Sequence, residues 1–177
     1  WIEAKPVWAY LEERDIKTAT YFWVGSETDW NGIEITYSKF PFSSRVSEEE
    51  KIKQILDWLS LPDDERPRLI MTWWHGVDST AHKYGINNKK TRQSFIQQDK
   101  YLLDLINQIK DKDLWKKVTL IVVSDHGMTD ISNLININEL LKTSNIKAKS
   151  SIGPAIGHIF LEDQSDLQKA MKVLKQN

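Results

Sequence analysis

The sequence predicts an α/β domain of three layers around a mainly parallel sheet, and three observations carry that prediction. Two apolar runs, residues 69–74 (LIMTWW) and 118–123 (VTLIVV), lack the polar alternation of a half-exposed strand and read as strands covered on both faces. Amphipathic helical stretches precede and separate them, the rhythm of βαβ crossovers. Both runs stop abruptly at a carboxylate and an imidazole, in HGVDSTAH at 75–82 and SDHG at 124–127. The carboxyl ends of strands are where open α/β sheets bind ligands, because the strands fix position while the loops stay free to vary.

Taken in order, residues 6–14 read as a short helix, with Pro6 tolerated early because its missing N–H would be unpaired there anyway. Residues 18–24 form a strand, and 25–42 a loop with scattered aromatics. Ser47 to Glu50 is a capping box that opens a helix carrying Ile52, Ile55, Leu56 and Leu59 at i, i+3, i+4 and i+7, ended by Pro62. After the strand near 68–74 comes a helix over about 90–110, with Phe95, Leu102, Leu103, Leu105, Ile106 and Ile109 inward. The run at 118–123 is the central strand, and Gly127 allows a tight turn behind it. Residues 134–141 give a short helix or turn and 151–161 a glycine-punctuated strand or hairpin. A second capping box, residues 165–168, starts a helix with Leu167, Ala170, Met171 and Leu174 on one face. No repeat, low-complexity run or domain boundary stands out.

The chemistry concentrates in four side chains. Asp78 and His82 are four apart, so a helical turn puts them on one face, able to chelate one ion; Asp125 and His126 converge if the strand turns sharply behind them. Two such pairs at neighbouring strand ends would give two half-sites side by side, as in two-metal phosphoryl transfer. The plainer alternatives are helix capping by the aspartates and solvated loop imidazoles. His158, in an apolar run, reads as a hydrogen-bonded core histidine and is not counted as a ligand.

Composition narrows the class. With 24 basic and 25 acidic side chains over 177 residues and a net charge of −1, no basic field holds a polyanion, so no nucleic-acid groove is expected. Cysteine is absent, which excludes a disulfide framework and thiolate metal sites. No run approaches the roughly 20 apolar residues of a membrane span. The 8 tryptophans suggest a thick core and aromatic walls for a ligand.

DSTAHKYG at 78–85 followed by SDHGM at 124–128 resembles the nucleotide pyrophosphatase/phosphodiesterase family of the alkaline phosphatase superfamily. TATYFWVGSE at 18–27, WLSLP at 58–62 and ERP at 65–67 are similar to further family segments, so the likeness covers nearly all of residues 1–165. It implies an alkaline-phosphatase-like fold and a phosphodiesterase or pyrophosphatase acting on small-molecule nucleotides through a phospho-threonine, with two zinc ions. Asp78, His82, Asp125 and His126 match its metal ligands, and Trp23, Glu27 and Phe40 fall on positions that wall and floor its nucleotide pocket. The neighbouring readings are another superfamily hydrolase or transferase, acting on phosphomonoesters or transferring ethanolamine phosphate, or a non-catalytic scaffold that keeps the fold.

By the same resemblance the 177 residues are an internal portion of a catalytic domain. The nucleophile and one aspartate would precede Trp1, a third histidine would follow Asn177, and the portion alone would be inactive. The family's settings are extracellular, membrane-anchored or periplasmic. His75, where the family carries an acid, and Val77, where it carries proline, depart from the pattern and bear on substrate contacts.

Overall fold

Strand β1 (Thr18–Tyr21) is the middle of a parallel sheet, flanked by β2 (Tyr37–Lys39) and β3 (Leu69–Thr72) in the order β2-β1-β3. Every residue of β1 is buried, as a central strand demands. The computed structural model describes residues 3–153 and 156–176 and separates them into two units, Trp1–Thr129 and Asp130–Asn177. That division is not visible in the sequence, because no shift of composition marks residue 130.

Three layers follow from the period of β3. Ile70 packs on one face against Ile52, Ile55, Leu56 and Leu59 of α2 (Glu48–Leu59) and Leu105 and Ile109 of α4 (Lys89–Asp111). Leu69 and Met71 point the other way, onto Trp8 and Ala9 of α1 (Val7–Glu12). Each fully buried Ile or Leu here contributes about 1.5–3 kcal/mol. Glu12 ties the α1 layer to the sheet: its carboxylate accepts from Thr18 N at 2.7 Å and Thr18 Oγ1 at 2.6 Å, and from Thr36 N and Oγ1 at 2.9 and 2.8 Å.

Helix α2 starts as its capping box predicts, with Ser47 Oγ accepting from Glu50 N and three glutamates in the positive first turn. Helix α4 also matches, but its buried stripe is narrower. Leu105 and Ile109 are buried, whereas Phe95 and Leu103 are 65% and 56% exposed. Leu103 lies two residues, about 200° of rotation, before Leu105, which takes it to the opposite side.

The largest departure concerns residues 118–123. They form no strand, and Ile121, Val122 and Val123 are exposed. Val118 is extended and packs against the α2–α4 core, but no strand among the described residues pairs with the run. An apolar segment becomes a central strand only when ladders flank both its edges. Strand β2, inside the expected loop, has the converse cause: three residues are too short to show a period. Gly127 is not left-handed and nothing crowds its Cα, so no turn there requires glycine.

The second unit contains α5 (Ile137–Thr143), an antiparallel hairpin of β4 (Ala148–Ile152) and β5 (Gly157–Leu161), and α6 (Leu167–Lys175). Its core is Leu141, Ile146 and Ala170, with Ile137, Ala148, Ile159, Leu161 and Val173 packed around it. The predicted face of α6 is rotated: Leu167 and Met171 are about half exposed, and Ala170 and Val173 face inward. Nor does Ser165 cap it. Asp163 accepts from Ser165 N at 2.8 Å and starts a 3-10 turn instead. His158 is an exposed strand residue stacked near Phe160, not a core histidine.

Candidate functional site

Because β1, β2 and β3 run parallel and in register, with Tyr21 beside both Lys39 and Thr72, their carboxyl ends share one edge. The chain leaves each end through aromatic residues. Phe22 follows β1, Phe42 follows β2, and Trp73 and His75 follow β3. Ring centroids lie 5.3 Å apart for Phe22 and Phe42, 5.2 Å for Phe42 and Trp73, 5.3 Å for Phe42 and His75, and 5.9 Å for Trp73 and His75. The cluster is not legible in the sequence, since its members come from three separate loops and the linear signal is no more than aromatic residues just past each strand. Of the residues expected to wall a substrate pocket, Trp23 leaves β1 on the same edge and packs partly against Trp8, Ala9 and Met71. Glu27 is exposed in the following loop, and Phe40, next to the end of β2, is 53% exposed.

Past β3 the chain turns directly into α3 (Gly76–Tyr84). Asp78 sits in its first turn and His82 one turn later, so the two share a face as four-residue spacing requires. His82 Nε2 lies 3.4 Å from Asp78 Oδ1. His126 arrives from the loop after residue 123, placing its Nε2 3.7 Å from the same Asp78 oxygen and 3.7 Å from Asp125 Oδ2. Both carboxylates therefore approach one imidazole nitrogen and lie no more than twice that distance apart. Although the strand expected at 118–123 is absent, the loop still brings the second pair to the first.

Local hydrogen bonds orient the second pair. His126 N donates to Asp125 Oδ1 at 3.0 Å, and Ser124 Oγ donates to the His126 carbonyl. His126 Nδ1 lies 2.8 Å from the Gly127 carbonyl, which can only accept, so Nδ1 carries the proton and the neutral ring presents a lone pair at Nε2. This bond, then the Asp125 charge, raises the His126 pKa. Burial and then the Lys51 ammonium lower that of His75, which precedes α3.

Asp78 Oδ1 is buried yet accepts no hydrogen bond. The nitrogens facing it are too far for charge-assisted bonds, which run about 2.7–2.9 Å. Their distances approach the roughly 3.3 Å edge of a tetrahedron built on zinc–ligand bonds of about 2.0–2.1 Å. Oxygen and imidazole donors with an orphaned carboxylate oxygen between them fit a divalent ion. They fit it as pairs: among the described residues no group of three or more His, Asp or Glu side chains forms a single cage. The groove between α2 and α4, lined by Glu49, Lys53, Asp57, Asp104 and Lys112, holds neither pair. No helix among the described residues is long and apolar enough to cross a membrane.

Comparison with known proteins identifies the family. The family model for type I phosphodiesterase / nucleotide pyrophosphatase matches residues 1–177. An uncharacterized pyrophosphatase/phosphodiesterase of Schizosaccharomyces pombe is 30% identical over 169 residues, 93% of this chain and 34% of the relative. Human ectonucleotide pyrophosphatase/phosphodiesterase family member 1 is 33% identical over 158 residues, 88% of this chain and 17% of its own length. The chain thus spans about a third or less of these relatives. Among solved structures, murine ectonucleotide pyrophosphatase/phosphodiesterase 5, an inactive form in complex with AMP, superposes with a TM-score of 0.81 at 24% identity, over 98% of this chain and 46% of that one. That likeness establishes the fold, and the family match along the whole sequence places the chain in the type I phosphodiesterase/nucleotide pyrophosphatase family.

Proposed function

We propose that these residues form the inner part of a catalytic domain that hydrolyses phosphodiester or pyrophosphate bonds in nucleotides or related small molecules. The observation that carries this reading is the convergence of His126 and Asp78 at 3.7 Å, which draws the Asp78–His82 and Asp125–His126 pairs into one locus at the sheet's carboxyl edge. Asp78 and His82 would hold one zinc ion, Asp125 and His126 a second. Zinc bound by such donors supplies Lewis-acid stabilisation of the charge that builds on phosphoryl oxygens.

The chain's own residues prepare that locus. The Gly127 carbonyl holds the His126 tautomer whose Nε2 faces the two carboxylates, the kind of outer hydrogen bond that fixes ligating imidazoles. Asp125 Oδ1 is occupied by its own loop, which leaves Oδ2 turned toward His126. Trp23 and Phe40 offer aromatic faces for a base, with Glu27 as a nearby acid; the murine relative described with AMP supports a nucleotide as ligand. A threonine outside these residues would take the phosphoryl group, a reading supported by the threonine-to-alanine substitution that the inactive murine relative carries.

The test is turnover of a chromogenic phosphodiester. The 177-residue chain should not exceed a metal-free blank, whereas a longer form that carries the flanking segments on both sides should turn over and lose at least about 100-fold on Asp78→Ala or Asp125→Ala. Turnover by the short chain in proportion to its concentration would refute its inactivity, and a longer form indifferent to both substitutions would refute the site.

A further inference from the structure

Lys51 is 0% exposed, and none of the chemistry above uses it. Taking an ammonium out of water costs several kcal/mol, and a well-packed hydrophobe of similar volume often serves stability equally well or better. A methionine could fill this space. It could not hold polar groups of its own helix and of a turn distant in sequence at fixed distances, which is what Lys51 does. Its Nζ pairs with Glu48 Oε2 at 2.8 Å, donates to the Trp73 carbonyl at 3.1 Å and faces His75 Nδ1 at 3.5 Å. Trp73 and His75 are the two sides of the turn that joins β3 to α3.

The same turn is gripped from α4. Gln98 Nε2 reaches Glu48 Oε1 at 3.5 Å and lies against Gly76, where a Cβ would approach it to 2.5 Å. The Gly76 carbonyl accepts from Ser94 Oγ of α4 at 3.0 Å and from Thr80 Oγ1 at 2.7 Å. The Trp73 carbonyl, the His75 ring and the Gly76 carbonyl are thus tied to α2 or α4. Asp78 follows two residues later, and His82 one turn beyond it.

We infer that Lys51, with Glu48 and Gln98, is a positioning residue that locks the β3–α3 turn and so aims Asp78 and His82. The inference rests on the reading of those two side chains as a metal pair, but the locking itself is measurable without metal.

The experiment compares the 177-residue chain with Lys51→Met, Lys51→Arg, Gln98→Ala and Asp78→Ala by amide hydrogen exchange and by zinc titration. Lys51→Met should speed exchange over residues 76–80 about tenfold, a loss of roughly 1.4 kcal/mol of local opening free energy, while β1 amides keep their rates. Lys51→Arg, which retains the charge and donors, should restore protection, and Lys51→Met should weaken zinc binding by about 10-fold or more. Should Lys51→Met fail to fold, Gln98→Ala, which removes the α4 grip without stranding a charge, should give the same local pattern. Unchanged exchange in α3, or equal acceleration of α3 and β1, overturns the inference. Zinc binding indifferent to Asp78→Ala overturns the metal reading instead, and the exchange data still judge the lock.

Discussion

The Nε2 of His126 lies 3.7 Å from Asp78 Oδ1, so the imidazole behind one apolar run meets the carboxylate that follows another. Neither residue is informative in its own loop. Together with His82 and Asp125 they define the locus on which the functional reading rests.

Zinc titrated calorimetrically into the chain should bind weakly, because each ion would find only two protein donors against the three or four that zinc sites use. His82→Ala and Asp125→Ala should each weaken it further, by about 10-fold or more. Tight binding untouched by both substitutions would put the metal elsewhere.

A second prediction concerns acid. Burial and Lys51 hold the His75 pKa below the ordinary imidazole value, so below that value the unfolded chain binds a proton that the folded chain resists. The His75 contribution to stability is complete above the ordinary pKa and is lost as pH falls toward the lowered one. The melting-temperature difference between wild type and His75→Asn should therefore shift against the wild type on going from pH 8 to pH 5. A shift in the other direction, measured by thermal unfolding at matched ionic strength, would show that the histidine is not held neutral.

The narrow stripe of α4 gives a packing test. Ile109→Ala or Leu105→Ala, at 1% and 3% exposure, should cost about 2–5 kcal/mol in urea unfolding. Phe95→Ala and Leu103→Ala, on the exposed side, should stay within about 0.5 kcal/mol. Equal losses at all four positions would contradict the observed orientation of the helix.

Two serines at the head of similar sequence patterns should behave differently. Ser47→Ala removes an observed cap on Glu50 N and should cost about 1 kcal/mol. Ser165 caps nothing in α6, whose approach is set by Asp163, so Ser165→Ala should change stability by less than about 0.5 kcal/mol. The comparison is read from denaturant midpoints, and a larger loss at Ser165 would restore the capping role that the sequence suggests.

What the sequence determined by itself was whatever depends on neighbours in the chain. The N-cap at Ser47, the i, i+4 face shared by Asp78 and His82, the stop before Pro62 and the apolar period of α2 are all local, and each stands in the structure as read. The motif spacing also sufficed for the family. Tertiary structure decided what depends on partners distant in sequence. Residues 118–123 have a strand's composition but no ladder, because backbone pairing needs a neighbouring strand and composition cannot supply one. The aromatic cluster of Phe22, Phe42, Trp73 and His75 exists only because three parallel strands end at one edge. The i, i+3 pairing of Lys51 with Glu48 is local, but only the closure of α2 and α4 over the β3–α3 turn makes it a buried charge, since its burial and its contacts with the Trp73 carbonyl and His75 come from segments the lysine does not adjoin.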